Sequence, residues 1–499
     1  GYPVTFLIAG LGVLFAFLGW AMGVFDLGLL GALAQRIFGV MTNQVLIAIP
    51  LFVLMGTILE RSRIAEELLE QMGRLFGTIR GGLAVSVTLV GALLAASTGI
   101  VGATVVTMGL IALPAMLRHG YGRGLAAGSV VTAGTLGQII PPSTMLIILA
   151  DVMSTAFQQA QYTQGKFSVE TISVGQVFAA AILPGLLLVG LYIAYILWTA
   201  KRRPDLAPAM PATDEKPSPA AVLRALVPPI VLIVAVLGSI LGGIATPTEA
   251  ASVGAVGATL LAGRKMTRRR WAIWVAVLCA AAVMVMSANF DLRLGRPDAP
   301  PFDRAMLALA GALTLAVAAA LAVIWRELAR LDILLPSLDS TARITAMIFT
   351  IVIGAYLFSL VFRGLGGDIR ITELLQAAPG GEYGAMFLVL GLMFLLGLFL
   401  DYVEITIIVI PGVGPALLGG GIDPVWFGVL IALVLQTSFL TPPVGFALFY
   451  IKGVCPPDVK IGHIYRGVLP FIALQLFGLA MFYLFPQIIT WLPSVAYSN

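Results

Sequence analysis

Gln138-Ile139-Ile140-Pro141-Pro142-Ser143-Thr144 interrupts an apolar segment that runs from about Leu125 to Ala150, long enough to cross a bilayer. The two prolines remove two amide donors, and Pro141 disfavours helical geometry at Ile140. Backbone carbonyls freed inside hydrocarbon need partners, so such a break persists only where protein or a wet cavity surrounds it. A second break of the same kind stands late in the chain, Thr437-Ser438-Phe439-Leu440-Thr441-Pro442-Pro443. Two interrupted spans at corresponding positions of two halves point to the binding site of a transporter.

Composition sets the class around these breaks. The 499 residues are 60% hydrophobic and 11% charged, whereas soluble domains hold about 25% charged residues. The chain is therefore a polytopic membrane protein. Cys279, Cys455, His119 and His463 are not spaced as metal ligands, and neither histidine, each beside a basic loop, reads as catalytic. No phosphate-binding loop of the GxxxxGK[ST] type occurs, which excludes an ATPase of that kind. Nucleic acid is not an expected partner, and lipid is.

Charge gives the threading. Val4–Val24 reads as a retained span, and Asn43–Glu60 as a second, ending at basic residues that mark the cytoplasmic side. Arg61–Arg80 alternates charge with Leu, Met and Phe, as an interfacial amphipathic helix or an ordinary connecting helix would. Gly82–Leu117 is too long for one span and too short for two, with Ser97-Thr98-Gly99 at its middle. Arginines at both ends favour a re-entrant hairpin over one tilted span with a glycine kink. The first broken span then runs outward to about Ser154, the polar segment Ala156–Gly175 fits the outer face, and Gln176–Ala200 returns to Lys201-Arg202-Arg203. A proline-rich linker follows. Thr246-Pro247-Thr248-Glu249 reads as a helix cap. Arg326–Asp339 reads as a second charged amphipathic helix, and Arg363–Gly380 as an outer loop. Tyr383–Leu418 is a second hairpin, both ends now outside, with Asp401 and Glu404 near its middle.

Superposing Pro141 on Pro442 gives an offset of 301 positions, and Pro114, Gly120 and Pro142 then meet Pro415, Gly421 and Pro443. Equivalent segments of opposite orientation make an inverted repeat. The expected fold is all-α and polytopic, with a re-entrant hairpin and a broken span in each repeat.

Several motifs together resemble the large membrane subunit of tripartite ATP-independent periplasmic (TRAP) transporters. They are Ser97-Thr98-Gly99, Gly120-Tyr121, Gly137-x-x-x-Pro141-Pro142-Ser143, Thr246-Pro247-Thr248-Glu249-Ala250-Ala251 and Leu440-Thr441-Pro442-Pro443-Val444-Gly445. The stretches Leu396–Thr406 and Leu435–Thr441 look like the branch labelled for mannitol, chloroaromatic or 2-oxo acids. Arg264 to about Leu335 departs from the family as an insertion of two spans. The resemblance implies an elevator-type transport domain moving past a scaffold. It also implies sodium-coupled import of an organic anion, with sodium as coupling ion and no other cofactor. Its implied partners are a soluble periplasmic binding protein and a small four-span membrane subunit. The competing reading is a stand-alone sodium- or proton-coupled anion transporter or antiporter of related architecture.

On this basis residues 1–80 hold scaffold spans and an arm helix, and 81–200 the first repeat (hairpin 82–117, broken span 125–154). Residues 201–225 form the cytoplasmic linker, and 226–340 further scaffold with the insertion and a second arm. The second repeat takes 341–499 (hairpin 383–418, broken span 425–452). Sodium, a hard cation, needs oxygen ligands. One expected site joins Ser97, Thr98 and Gly99 to carbonyls around Gly134 and Gln138. The other joins Asp401 and Thr406 to those around Thr437 and Thr441. Asp401 and Glu404 alternatively reach interfacial water, pair with a cation, or relay protons. Ser143, Gln436, Thr437 and Glu404 are substrate candidates, with helix–helix hydrogen bonding the other role open to the polar ones. Pro141, Pro142, Pro442 and Pro443 act as hinges and carbonyl sources.

Overall fold

In the computed structural model both proline breaks end a helix, the first buried at its two prolines and the second partly exposed, at Pro443. Residues 4–99, 101–210, 219–293 and 300–497 are described, together with the backbone but not the side chains of Ser97, Thr98 and Pro219. Residues 211–218 of the linker and Ile100, the repeat partner of Asp401, lie outside them.

The scaffold side begins with α1 (Val4–Ala21), a short 3-10 turn, α2 (Ala32–Met41) and α3 (Gln44–Arg61). The amphipathic α4 (Ile64–Phe76) follows, then the first hairpin, α5 (Gly82–Thr98) and α6 (Val101–Arg118). The first broken span is α7 (Arg123–Thr135), a 3-10 turn Leu136–Gln138 and α8 (Thr144–Thr163); α9 (Val174–Arg202) returns. Next come α10 (Pro219–Leu241), α11 (Pro247–Met266), α12 (Arg270–Asn289) and α13 (Pro301–Arg330). The second repeat comprises α14 (Leu334–Gly364), α15 (Gly367–Gln376), the hairpin α16 (Gly381–Leu396) and α17 (Tyr402–Gly419), the broken span α18 (Pro424–Leu440) and α19 (Phe446–Val454), and α20 (Ile461–Leu484). A short last helix, α21 (Gln487–Ala496), packs against α9. Ten of these helices are long and apolar enough to span a bilayer, and no strand occurs among the described residues.

The lengths explain where the breaks fall. At 1.5 Å per residue α7 covers about 20 Å and α19 about 14 Å, both short of the ~30 Å hydrocarbon thickness. Each break therefore lies short of a full crossing, at depth in the membrane. The order α3–α9 recurs as α14–α20. Packing between repeats is reciprocal: α8 lies on α17 and α6 on α19, while α7 lies on α20 and α18 on α9. The left-handed residue before α4, Arg63, corresponds to Gly366 before α15. The Pro–Pro peptide bond at each break, Pro141–Pro142 and Pro442–Pro443, is cis.

Two sequence expectations are corrected. Arg326–Asp339 is not a separate arm helix. It is the end of α13, a turn at Asp332 (φ +56°), and the start of α14. At 30 and 31 residues these helices outrun the ~20 needed to cross, so their charged ends project into the interface. The true counterpart of α4 is α15, within the stretch read as an outer loop. Likewise the first broken span does not end at about Ser154. Helix α8 continues to Thr163, and Gln161 pins the following segment by donating to Glu170 O and accepting from Glu170 N, both at 2.9 Å.

Candidate functional site

The first hairpin tip sits on the first break. Gly99 ends α5 in the left-handed region (φ +62°), where glycine has no Cβ penalty. A Cβ there would come within 2.8 Å of the Thr144 amide nitrogen. Thr144 Oγ1 donates to the Gly99 carbonyl at 3.0 Å, which ties the tip to the first residue of α8. Ser143 Oγ reaches across the break to the Gln138 carbonyl at 3.4 Å. Gln138 is fully buried, and neither of its amide side-chain atoms has a hydrogen-bond partner. Gly134 lies a turn earlier in α7, close against Val105 of α6. Ser97 and Thr98 occupy the last turn of α5; their side chains lie outside the described residues.

The second repeat is built alike, with one asymmetry. A Cβ on Gly397, the residue after α16, would collide with Ser438 Oγ, so the end of α16 rests directly on the end of α18. Both arms of the first hairpin pack on α7, whereas α17 packs chiefly on α8. Asp401 and Thr406, on α17, therefore sit on a different packing surface from Thr437 and Thr441, on α18. Asp401 is the N-cap of α17, and Glu404 Oε2 accepts from its amide at 3.2 Å. Glu404 is thus committed to the helix N-terminus, as in a capping box. Thr437 and Thr441 donate their hydroxyls to Leu433 O and Thr437 O at 2.7 and 2.8 Å, which leaves the oxygen lone pairs free to face a cation. Thr406 Oγ1 and both amide atoms of Gln436 are buried without a partner.

Two aromatic residues that spacing does not single out complete the arrangement. Tyr450 of α19 lies over Gly102, at the first tip, and within electrostatic reach of Asp401, at the second. Tyr465 of α20 donates to the Pro443 carbonyl at 2.6 Å, holding the second break.

The helix ends divide the chemistry. The N-caps of α8 and α19, Ser143 and Gly445, make no side-chain cap bond; the first turn of α8 is buried against the first hairpin tip, and in α19 Leu448 N donates to the Gly445 carbonyl at 2.8 Å. The N-terminus of α17 instead carries two carboxylates, which suits a cation and repels an anion. No cluster of three or more His, Cys, Asp or Glu occurs among the described residues, so any cation here relies on carbonyls, hydroxyls and the α17 carboxylates.

Two inverted repeats, each closing a hairpin tip on an interrupted span, define a polytopic membrane permease. The model of the family described as tripartite ATP-independent periplasmic transporter, DctM component, matches residues 1–292 and 265–488, and the chain belongs to that family. It is a transporter subunit of the bacterial inner membrane, not an enzyme. The C4-dicarboxylate TRAP transporter large permease DctM of Pseudomonas aeruginosa is 29% identical over 93% of this chain and 88% of its own. The ectoine/5-hydroxyectoine large permease UehC of Ruegeria pomeroyi is 27% identical over 100% and 96%. The crystal structure of the YdaH transporter of Alcanivorax borkumensis shares the fold at 15% identity, with a TM-score of 0.62 over 98% of this chain and 100% of that one.

Proposed function

We propose that the chain imports an organic carboxylate coupled to sodium, working with a small four-span membrane subunit and receiving its substrate from a soluble periplasmic binding protein. The observation that carries this reading is the acid-capped N-terminus of α17 at the second hairpin tip, together with two half-helix N-termini at the breaks, those of α8 and α19, whose N-cap residues make no side-chain cap bond. The amides opening α8 and α19 bind the carboxylate, with Ser143 and Gln436 as side-chain contacts. One sodium lies between Ser97, Thr98 and Gly99 and the carbonyls near Gly134 and Gln138. A second lies at the N-terminus of α17, held by Asp401 with the buried, unpartnered hydroxyl of Thr406. Relatives named for C4-dicarboxylate and for ectoine share the scaffold, so the identity of the acid rests with the side chains at the breaks.

The hairpins and broken spans move together as an elevator past α3, α14 and their neighbours. Polar links at both ends of α3 support this reading. Asn43 Nδ2 donates to Asp151 Oδ1 of α8 at 3.0 Å, and Thr107 of α6 donates to Glu60. Hydrogen bonds of this kind, between a static helix and the moving unit, would be exchanged as the unit travels.

The test is uptake of a labelled organic acid by proteoliposomes holding both membrane subunits. Uptake that requires an inward sodium gradient and added binding protein supports the reading. Uptake without either refutes it.

A further inference from the structure

We propose that an anionic phospholipid occupies the groove between α10, α11 and α12 at its cytoplasmic end. Helix α12 packs mainly on α13 and only lightly on α11, so one face of it stands across an opening from α10. That opening is a cavity of about 590 Å³, walled on one side by Val231, Leu232 and Ala235 and on the other by Ile273, Trp274 and Val277. Val231 and Trp274 are more than half exposed, which leaves the groove open to hydrocarbon rather than sealed as core. It suits acyl chains.

The mouth is basic. Arg264 and Arg270 line it, and a smaller adjoining cavity of about 240 Å³, sharing Pro228, Leu261 and Arg264, adds Arg224 and Lys265. One carboxylate faces this region, Glu67 of α4, and it is already paired with Lys265 at 2.8 Å. Among the described residues no carboxylate pairs with Arg224, Arg264 or Arg270. The surrounding run, Arg264-Lys265-Met266-Thr267-Arg268-Arg269-Arg270, places this end on the cytoplasmic face. Basic pockets between spans on that face bind phospholipid headgroups, and three guanidiniums with no carboxylate partner among the described residues, above an apolar slot, match a phosphate carrying acyl chains. Two of the three walls, α10 and α11, come before the helical pair α12–α13 that completes the site.

Native mass spectrometry of the purified full chain, given equal phosphatidylglycerol and phosphatidylethanolamine, tests this directly. Retention of phosphatidylglycerol in clear preference is expected, falling about fivefold for each of Arg264→Gln and Arg270→Gln. Ala235→Trp, which fills the slot, removes both lipids. Equal retention of the two lipids by the unaltered chain overturns the proposal without recourse to any variant. So does a preference that survives the double arginine substitution in a folded protein, or displacement of lipid from the groove by the small membrane subunit.

Discussion

Replacing Gly99 by alanine perturbs the first site at the point where tip and break touch. Holding alanine in the left-handed region costs about 1–2 kcal/mol. The new Cβ would stand 2.8 Å from the Thr144 nitrogen and 3.0 Å from its Oγ1, well inside the ~3.5 Å at which such contacts become favourable. Relief requires the tip to lift, which breaks the Thr144–Gly99 hydrogen bond at a net loss of about 1 kcal/mol. In the seated state the strain plus about 1 kcal/mol of overpacking, about 2–3 kcal/mol together, shifts the seated-to-lifted ratio by roughly 30- to 150-fold. Gly165 supplies the control, since it has φ +74° but a methyl added there would meet nothing within 4 Å. Gly165→Ala therefore meets the backbone strain alone, in an outer loop away from the breaks. In proteoliposome uptake Gly99→Ala should fall more than tenfold while Gly165→Ala stays within about twofold of the unaltered protein. Equal effects of the two substitutions would refute the seating of the tip on α8.

Other outcomes follow from the second repeat and the interface with the scaffold. Gly397→Ala should destabilise by about 1–3 kcal/mol through overpacking on Ser438, and Ser438→Gly should recover most of it. Additivity of the two in thermal unfolding would contradict the contact. Glu404→Gln keeps a side-chain acceptor for the Asp401 amide, so uptake should survive it better than Glu404→Ala. Equal loss in both would point to a proton-relay role instead. Asn43→Ala leaves the Asp151 carboxylate without its donor and should shift the proposed elevator equilibrium by about 1–2 kcal/mol, or roughly 5- to 30-fold. The accessibility of a cysteine placed at a hairpin tip reads that shift, and an unchanged value would remove this link from the moving interface.

The breaks and hairpins are legible in the sequence because their causes are local. Consecutive prolines forbid two amide donors, and Gly99 permits a conformation that other residues resist. Opposite charge at the ends of the two hairpins then exposes the inversion. The second arm helix is hidden for the converse reason. Gly367–Gln376 is a short amphipathic run, and the longer charged stretch Arg326–Asp339 carries a stronger signal while serving only to end two long helices. At Thr246–Glu249 the capping-box spacing reads directly as a cap, with Thr246 N donating to Glu249 Oε2 at 2.8 Å. The same spacing at Asp401–Glu404 reads first as a pair of intramembrane acids, although it places Glu404 on the helix end. Tyr450 carries no such signal. An aromatic residue in an apolar run is indistinguishable from core until folding lays it over Gly102.

Sodium binding to the isolated chain tests the central claim without partners, gradient or substrate. Equilibrium binding of radioactive sodium to the purified protein should be saturable and resist excess potassium. Asp401→Asn keeps an N-cap for α17 but removes the charge, so it should weaken one class of site without unfolding the protein. A chain that binds no sodium, or binds it identically after Asp401→Asn, would contradict the account.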